Sequence, residues 1–321
     1  MTDSLLDVVV HAVTPVADGI RSFDLRRPDG SDLPPFTAGS HIDVHLPNGL
    51  TRCYSLVNSQ AERHRYVLGI SLDRNSSGGS AYMFENDLTG QALKIGAPRN
   101  NFTLVEDAGL VVLIGGGIGV TPLHSMILRL EELGRDWQLH YGVRDRASAA
   151  FREEFEALET AKSGRAHFNF DLEDGHFLDV AKAVKEAPSG AHLYCCGPAP
   201  MLELFKTAAE GRAAETVHLE YFSAPDDAVI GSDEAFTVVI KSTGQEFEVP
   251  AGESILGILL DNGVSAPYSC GEGECASCLV EVLEGVPDHR DYVLGEKERA
   301  ENKLMTICVS GSKTKRLVLN L

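Results

Sequence analysis

The placement of the cysteines constrains this chain more than any other feature of its sequence. Three of the seven cysteines, Cys270, Cys275 and Cys278, lie within nine positions, and Cys308 follows near the end of the 321 residues. The number is odd and the N-terminus lacks the basic segment that opens a signal peptide, which argues against a disulfide framework. We therefore expect ligand or redox roles for the clustered cysteines.

The spacing Cys270-x4-Cys275-x2-Cys278, followed by Cys308, is that of plant-type 2Fe–2S ferredoxins. A short glycine-rich loop lets three sulfurs converge and leaves backbone N–H groups free to point at a cluster, while the distant cysteine closes the cage. A structural zinc site and buried free cysteines are the alternatives, but zinc modules usually pair two C-x2-C units. The spacing predicts a 2Fe–2S cluster on these four residues.

The pattern of secondary structure that the sequence predicts changes along the chain. The first hundred or so residues are short alternating segments separated by turn residues, typical of an antiparallel barrel or sandwich. Strand, turn and helix patterns then alternate, with one helix expected over Ala147–Lys162, which favours a parallel doubly wound sheet. After a small-residue acidic stretch come two strand patterns, Phe236–Lys241 and Glu246–Val249, and a capped helix pattern. We expect an antiparallel β-barrel (1–105), an α/β parallel-sheet domain (106–223), a linker (224–234) and an α+β domain (235–321).

Charge and hydropathy exclude several classes of function. Lys and Arg number 28 against 47 Asp and Glu, so the formal charge is -19, which repels nucleic-acid backbones and anionic lipids. The longest nearly apolar run, Leu110–Val120, is broken by glycines and too short to span a bilayer. No Ser-His-Asp set or carboxylate pair indicates hydrolysis. We expect a soluble cytoplasmic protein without nucleic-acid or membrane partners.

A second motif follows the apolar strand pattern Leu110–Ile114. It reads Gly-Gly-Gly-Ile-Gly-Val-Thr-Pro over residues 115–122. A buried strand that runs through glycines into a helix places backbone amides and a helix N-terminus where a pyrophosphate can bind. The motif differs from G-x-G-x-x-G, and a purely structural turn is the alternative.

A third motif combines Arg52-Cys53-Tyr54-Ser55-Leu56 with the downstream Gly78-Gly79-Ser80. Period-two alternation puts Arg52, Tyr54 and Leu56 on one face of a strand. There a guanidinium can clamp a phosphate and a phenol can lie against a flat ring, while the glycines and Ser80 offer amides and a hydroxyl to the same phosphate. An exposed barrel arginine with no ligand is the alternative interpretation.

The glycine motif, followed by Tyr194-Cys195-Cys196-Gly197-Pro198, resembles the paired motifs of the ferredoxin-NAD(P) reductase superfamily. The motif that combines Arg52–Leu56 with Gly78–Ser80 resembles the flavin motif of the same superfamily. The resemblance implies pyrophosphate contacts from the glycine motif and a nicotinamide beside the Cys-Gly-Pro motif. It also implies that Ser55 reaches the flavin N5 region. Ser55 and Cys196 are the candidate catalytic residues, and the other inherited binding residues are Arg52, Tyr54, Leu56, Gly78, Gly79, Ser80, Gly116, Gly117, Thr121, Pro122, Gly197 and Pro198. Cys195 is expected to pack in the strand instead.

Three smaller features bear on the cofactors. The barrel is short and shows no obvious loop for an adenylate, so FMN is favoured over FAD. Phe222 ends a Glu-Tyr-Phe sequence similar to the superfamily's terminal Glu-x-Phe, whose aromatic lies near the flavin, although a core aromatic is the alternative. Arg144 and Arg146 follow a strand end where an adenosine ribose could lie. They would favour NADPH if they bound a 2′-phosphate, whereas the resemblance is to NADH users.

The final segment resembles a β-grasp ferredoxin domain. Gly285-Val-Pro-Asp-His-Arg-Asp291 is similar to a segment of the ferredoxin domains at the C-terminus of the phthalate dioxygenase reductase family. Two residues depart from that pattern: Ala276 stands where Gly is usual, and Gly295 where a helix-capping Ser is usual. Neither departure removes a cluster ligand.

The resemblance covers essentially the whole chain, in the order flavin barrel, nucleotide domain, linker and ferredoxin domain. It implies an NADH-dependent FMN and 2Fe–2S oxidoreductase that passes single electrons to a separate terminal oxygenase, of the Rieske type that hydroxylates or O-demethylates aromatic compounds. A monomer is expected. The alternatives are a redox partner of a cytochrome P450 and, from another class, an iron–sulfur redox sensor or electron carrier.

Overall fold

The computed structural model describes residues 5–73, 78–161, 164–222 and 229–321, without the side chains of 160 and 161. The chain divides into two compact units, Met1–Phe222 and Ser223–Leu321. Residues 224–228 of the predicted linker, and 74–77 before the Gly78-Gly79-Ser80 motif, lie outside the described residues. No helix in the described part of the chain is both long and apolar enough to cross a membrane.

The first unit begins with an antiparallel six-stranded sheet in the order β4-β3-β6-β1-β2-β5. Its strands are β1 (Leu6–Ala17), β2 (Ile20–Arg26), β3 (His41–His45), β4 (Thr51–Ser55), β5 (Tyr66–Ser71) and β6 (Ala92–Ile95). A bridge between Leu56 and Leu68, and a hydrogen bond from Val57 N to Val67 O of 2.9 Å, join the two edges. This closes the sheet into the predicted barrel, which removes its free edges.

A parallel five-stranded sheet follows, in the order β11-β10-β7-β8-β9. Its strands are β7 (Leu110–Gly116), β8 (Asp136–Val143), β9 (Ala166–Phe170), β10 (His192–Cys196) and β11 (Val217–Glu220). Six of the seven residues of β7 are buried, as a central parallel strand covered on both faces requires. The helices of the first unit are α1 (Gly79–Glu85) in the barrel, then α2 (Val120–Leu133), α3 (Arg152–Ala161), α4 (Asp171–Asp174), α5 (Val180–Glu186) and α6 (Ala199–Ala208).

Helix α2 attaches the parallel sheet to the barrel. His124 Nδ1 lies 3.0 Å from Val57 O, and Gly39 N donates to Ser125 Oγ at 3.1 Å. One buried apolar cluster contains barrel residues such as Val57 together with the core of the parallel sheet. Barrel and sheet therefore share packing within the first unit.

The second unit has a five-stranded mixed sheet in the order β13-β12-β18-β14-β16 and a two-stranded ribbon of β15 and β17. Its elements are β12 (Phe236–Ile240), β13 (Glu246–Val249), α7 (Ile255–Asp261), β14 (Leu279–Glu284), β15 (Pro287–Asp288), α8 (Glu296–Glu301), β16 (Leu304–Thr306), β17 (Gly311–Ser312) and β18 (Arg316–Leu319). Ser254 caps α7 by accepting a hydrogen bond from Gly257 N at 2.9 Å. The predicted fold class, a barrel, a parallel-sheet domain and an α+β ferredoxin domain, is confirmed.

Candidate functional site

The four predicted cluster ligands lie close together in the second unit. Cys275, Cys278 and Cys308 are buried, Cys270 is partly buried, and none forms a disulfide. The Cys278 and Cys308 Sγ atoms lie 3.0 Å apart, although they are far apart in sequence. Strand β14 starts directly after Cys278 and pairs with β16, which ends just before Cys308. That pairing brings the fourth cysteine to the loop.

The surroundings of these sulfurs favour thiolates. Backbone N–H groups of Cys270 and Glu272 donate to the sulfurs of Cys275 and Cys270, at 3.5 and 3.3 Å. Hydrogen bonding from Cys270 lowers the pKa of Cys275 to about 5, and hydrogen bonding from Cys308 likewise lowers the pKa of Cys278. The same two contacts raise the pKa of Cys270 and of Cys308, so one thiol of each pair is favoured as the thiolate in the metal-free protein. Thiolates are the form that binds iron.

The described residues contain no group of three or more Cys, His, Asp or Glu side chains that could hold a metal ion. In a 2Fe–2S centre the four cysteines are divided between two irons, so its ligands need not surround a single point. Free thiols, backbone donors and convergent sulfurs together fit the two-iron group.

The glycine motif and the Cys-Gly-Pro motif lie against each other at the carboxyl ends of β7 and β10. A Cβ on Gly119 would lie 2.3 Å from Cys196 O, and one on Gly116 would lie 2.7 Å from Pro198 Cδ. Gly117 adopts a positive φ of 54°, which glycine tolerates best. Thr121 lies in the first turn of α2, and its Oγ1 donates to Ile118 O at 2.9 Å. The close approach requires bare backbone on both sides.

A cavity of about 460 Å³ opens beside this loop. Its walls come from the glycine motif, from the end of β8 with the turn that follows, and from the ends of barrel strands. The lining residues include Gly117, Ile118, Arg144, Ser148, Asp18 and Leu72. Placement at the carboxyl ends of parallel strands, beside the N-terminus of α2, is typical of a dinucleotide site.

The barrel motif brings Arg52 and Gly79 into contact. A Cβ on Gly79 would lie 2.5 Å from Arg52 Cγ and 2.8 Å from its Nε, so the arginine lies across the start of α1. Gly78 precedes that helix with a φ of 101°. The Ser80 hydroxyl accepts a hydrogen bond from Asp73 N at 3.2 Å. A guanidinium beside adjacent backbone amides fits a phosphate group.

The other residues of this motif divide between two environments. Strand β4 pairs with β3 in a register that places Arg52 opposite Val44 and Tyr54 opposite Ile42. Tyr54 is partly buried, and burial raises the pKa of its phenol to about 12. Ser55 is buried. Leu56 belongs to the barrel core, and Tyr54 packs against that core.

Cys195 and Cys196 are both fully buried in β10. Cys196 packs in the core shared by sheet and barrel, while burial alone raises the pKa of the Cys195 thiol. Phe222 is 38% exposed, so it is not a core aromatic. Both thiols are therefore packed in the interior of the protein, and the nicotinamide role of Cys196 stays a prediction.

Two polar residues near these motifs had no role assigned from the sequence. Glu220 is the register partner of Cys196 in β11. Its Oε2 is buried without a hydrogen-bond partner among the described residues, and burial raises its pKa to about 8. Asp145 caps the turn after β8 by accepting from Ser148 N at 2.9 Å. Strand pairing and turn capping, which the sequence does not display, create these environments.

Two protein families match parts of the chain. The family described as an oxidoreductase NAD-binding domain matches residues 113–207, and the one described as a 2Fe-2S iron-sulfur cluster binding domain matches residues 238–312. The tetrachlorobenzoquinone reductase of Sphingobium chlorophenolicum is 49% identical over 99% of this chain and 98% of its own length. The phenoxybenzoate dioxygenase subunit beta of Ectopseudomonas oleovorans is 46% identical over 97% of this chain and 96% of its own.

The solved structure of phthalate dioxygenase reductase, described as a modular structure for electron transfer from pyridine nucleotides to [2Fe-2S], covers 99% of this chain and 98% of its own. It is 35% identical with a TM-score of 0.72. The chain belongs to the phthalate dioxygenase reductase family. The same fold occurs as part of an intact type IV self-sufficient cytochrome P450 monooxygenase, 33% identical with a TM-score of 0.89, of which the chain spans 41%. Members of the family are oxidoreductases, and this chain is one.

Proposed function

We propose that this chain is the reductase component of a two-component oxygenase system, in which NADH is oxidised and electrons pass singly, through FMN and a 2Fe–2S cluster, to a terminal oxygenase of the Rieske type. The observation that carries the proposal is the set of three sites in one chain: the Arg52–Gly79 contact, the cavity beside Gly117, and the four converging thiols. A flavin accepts a hydride and a 2Fe–2S cluster exchanges one electron at a time, so the pair supplies two-to-one electron conversion.

Each site has a distinct task for the protein's own residues. Arg52 and the amides of Gly78 and Gly79 would hold the FMN phosphate, with Ser80 nearby, while Tyr54 and Ser55 would border the flavin ring. Gly116, Gly117, Thr121 and Pro122 would bind the pyrophosphate of NADH, and Arg144 would meet its adenosine end. Cys196, Gly197 and Pro198 would border the nicotinamide, with Phe222 near the flavin. Cys270, Cys275, Cys278 and Cys308 would hold the cluster.

The relatives support the partner. The phenoxybenzoate protein carries the name of a dioxygenase subunit, and other relatives are named vanillate O-demethylase oxidoreductase and phthalate 4,5-dioxygenase oxygenase reductase subunit. An aromatic-hydroxylating or O-demethylating oxygenase is therefore the partner that we propose. We also propose a cytoplasmic monomer, which leaves the cluster edge available to a transient partner.

The cluster and the flavin site are tested by separate measurements. Purified protein is expected to contain FMN, with iron and acid-labile sulfide both near two per chain. Cys308→Ala should lose the visible cluster spectrum while Cys53→Ala keeps it. Arg52→Ala should bind FMN about ten- to a hundredfold more weakly, because a charge-assisted phosphate contact is lost. Zinc in place of iron, or FAD in place of FMN, would contradict the proposal.

Two other acceptors have specific support. The P450 chain of which this fold forms a part favours a haem acceptor, and the relative named tetrachlorobenzoquinone reductase favours a quinone. Steady-state NADH oxidation with cytochrome c shows whether the protein turns over as a reductase, since a redox sensor would be reduced only once. Rates with a Rieske oxygenase, a P450 and a chlorinated quinone, compared at equal concentration, then rank the acceptors.

A further inference from the structure

Two arginines follow β8, and a carboxylate pairs with each. Arg144 Nε donates to Asp145 Oδ2 at 2.9 Å, and Arg146 Nε donates to Glu173 Oε2 at 2.8 Å. The Arg146 guanidinium also lies over the Phe170 ring, 4.2 Å from its centroid. Glu173 lies in α4, directly after β9, so the second pair joins the carboxyl ends of two adjacent strands.

The turn that carries these arginines forms a wall of the cavity. Arg144 and Ser148 line it, and Arg146 stands between them in the chain but is turned toward Phe170 and Glu173. At the carboxyl end of this strand in a dinucleotide fold, a carboxylate contacts the 2′-hydroxyl of NAD or an arginine accommodates the 2′-phosphate of NADP. Arg146 is not among the residues that line the cavity, and it contacts Phe170 and Glu173 instead.

The neighbouring carboxylates accept hydrogen bonds that shape the local backbone, whereas the contact that Glu173 makes among the described residues is its ion pair with Arg146. Asp145 Oδ1 accepts from Ser148 N, Asp174 Oδ2 accepts from Phe170 N at 2.7 Å, and Asp171 Oδ1 accepts from Asn169 Nδ2 at 2.8 Å. Glu173 and Arg146 are 43% and 55% exposed, and an ion pair that exposed adds little to stability. The effect of this ion pair is to position the Arg146 guanidinium over the Phe170 ring.

We propose that Glu173 is a specificity-determining residue that favours NADH over NADPH by holding Arg146 against Phe170 and away from the adenosine ribose. The inference rests on the proposed function and deepens it, because it assigns the choice between the two nucleotides to one side chain. Glu173 is not among the residues proposed to border the nicotinamide or the flavin, so we expect its effect at the 2′-position of the ribose rather than on hydride transfer.

The experiment compares Glu173→Gln, Arg146→Gln, the double variant and Glu106→Gln in the full-length holoprotein. Glu106 is the matched control, because it pairs with Arg129 at 2.8 Å on another surface and its replacement removes the same charge. The probes are 5′-ADP and 2′,5′-ADP, the adenosine halves of the two nucleotides, titrated by calorimetry. Steady-state kcat/KM with NADH and with NADPH gives a second measurement.

Glu173→Gln is expected to tighten 2′,5′-ADP about tenfold relative to 5′-ADP and to raise the NADPH:NADH ratio of kcat/KM to a similar extent, since a guanidinium–phosphate contact becomes possible. The double variant should lose that gain, and Glu106→Gln should show none. Equal tightening of both probes, the same gain in the control, or a gain that persists without Arg146 would overturn the inference. If the wild type oxidises neither nucleotide, the proposed function fails, and a response of 2′,5′-ADP binding to Glu173→Gln would then support only the control of Arg146 by Glu173.

Discussion

At the residue scale, Ala276 shows how a departure in sequence becomes a feature of the backbone. It stands in the cysteine loop where the family usually has Gly, and it adopts a left-handed φ of 57°. That conformation costs a residue with a Cβ about 1–2 kcal/mol. Tyr292 N donates to Gly273 O at 3.0 Å from the other side of the loop, which helps to hold the loop in this shape.

Ala276→Gly is therefore expected to stabilise the loop by about 1 kcal/mol, because glycine adopts this φ without steric cost. The measurement is the urea midpoint for loss of the visible cluster spectrum, which should rise. Ala300→Gly, an exposed position inside α8, is the control, and its midpoint should fall because glycine weakens a helix. A fall in both variants would mean that the loop is not strained at Ala276.

Glu220 gives a prediction about pH. In the unfolded chain its carboxyl has the ordinary glutamate pKa of 4.5, whereas burial in the folded protein raises that pKa to about 8. Between these two values proton release favours unfolding, so the residue makes stability fall by about 1.4 kcal/mol per pH unit as pH rises. Glu220→Gln cannot ionise, and its profile should be correspondingly flatter.

Fluorescence of Trp137, the single tryptophan and buried in the parallel sheet, reports unfolding of the first unit. Urea titrations at pH 5, 6, 7 and 8 should show the wild type losing stability relative to Glu220→Gln at each step. Glu210→Gln, which changes an exposed carboxyl, should follow the wild type. Parallel profiles for wild type and Glu220→Gln would contradict an uncharged Glu220 carboxyl in the folded protein.

Sequence reasoning at this scale succeeded where spacing is local. The cysteine positions predicted a convergence of sulfurs that the fold produces, because three of the candidate ligands share one short loop; their binding of a cluster stays a prediction. Glu220 and Asp145 escaped prediction since each gains its environment from strand pairing or from a turn cap. The environment of such residues depends on neighbours in the folded structure rather than on neighbours in the sequence.

At the element scale, the strands predicted here from sequence patterns agree with the structure more closely than the predicted helix does. The expected strands Phe236–Lys241 and Glu246–Val249 match β12 and β13 within one residue. A single helix expected over 147–162 is instead a 3-10 turn and then α3, separated by Phe151 with a φ of 58°. Helix periodicity does not reveal a residue whose packing places it in the left-handed region.

The contact between the glycine motif and β10 predicts the effect of one methyl group. Gly119→Ala would place a Cβ 2.3 Å from Cys196 O and 2.7 Å from Gly197 N, and backbone atoms cannot move aside as a side chain can. The two motifs must separate, so kcat/KM for NADH is expected to fall about tenfold or more. Gly109→Ala is the control, since its Cβ would meet nothing within 4 Å. Equal activity of the two variants, both folded by Trp137 fluorescence, would show that the close approach is dispensable.

At the scale of the whole molecule, composition and texture predicted three domains and a linker, and the chain forms two compact units. The separation of barrel and nucleotide domain stays a prediction, because an apolar cluster includes residues of both. The second unit has an apolar core of its own. The pattern of predicted strands and helices shows where the architecture changes along the chain. It carries no information about which surfaces become buried against each other.

The covalent connection between the two units is expected to speed electron transfer from the first unit to the second. Two fragments, 1–222 and 223–321, are each expected to fold, the first retaining NADH-dependent reduction of ferricyanide and the second retaining iron and sulfide. Their mixture at about 1 µM should reduce cytochrome c at least tenfold more slowly than the intact chain, because a connected pair acts at an effective concentration in the millimolar range. The rate should rise linearly with the concentration of the second fragment.

The control is the same mixture with Cys308→Ala in the second fragment, which gives the rate of direct transfer from the first fragment to cytochrome c. Subtracting it isolates transfer that depends on the four thiols. If the mixture at about 1 µM matches the intact chain, the fragments bind each other tightly and the covalent connection is unnecessary. If the control matches the mixture at every concentration, the cysteine site does not carry electrons to the acceptor, and the order of transfer proposed for this chain would have to be replaced.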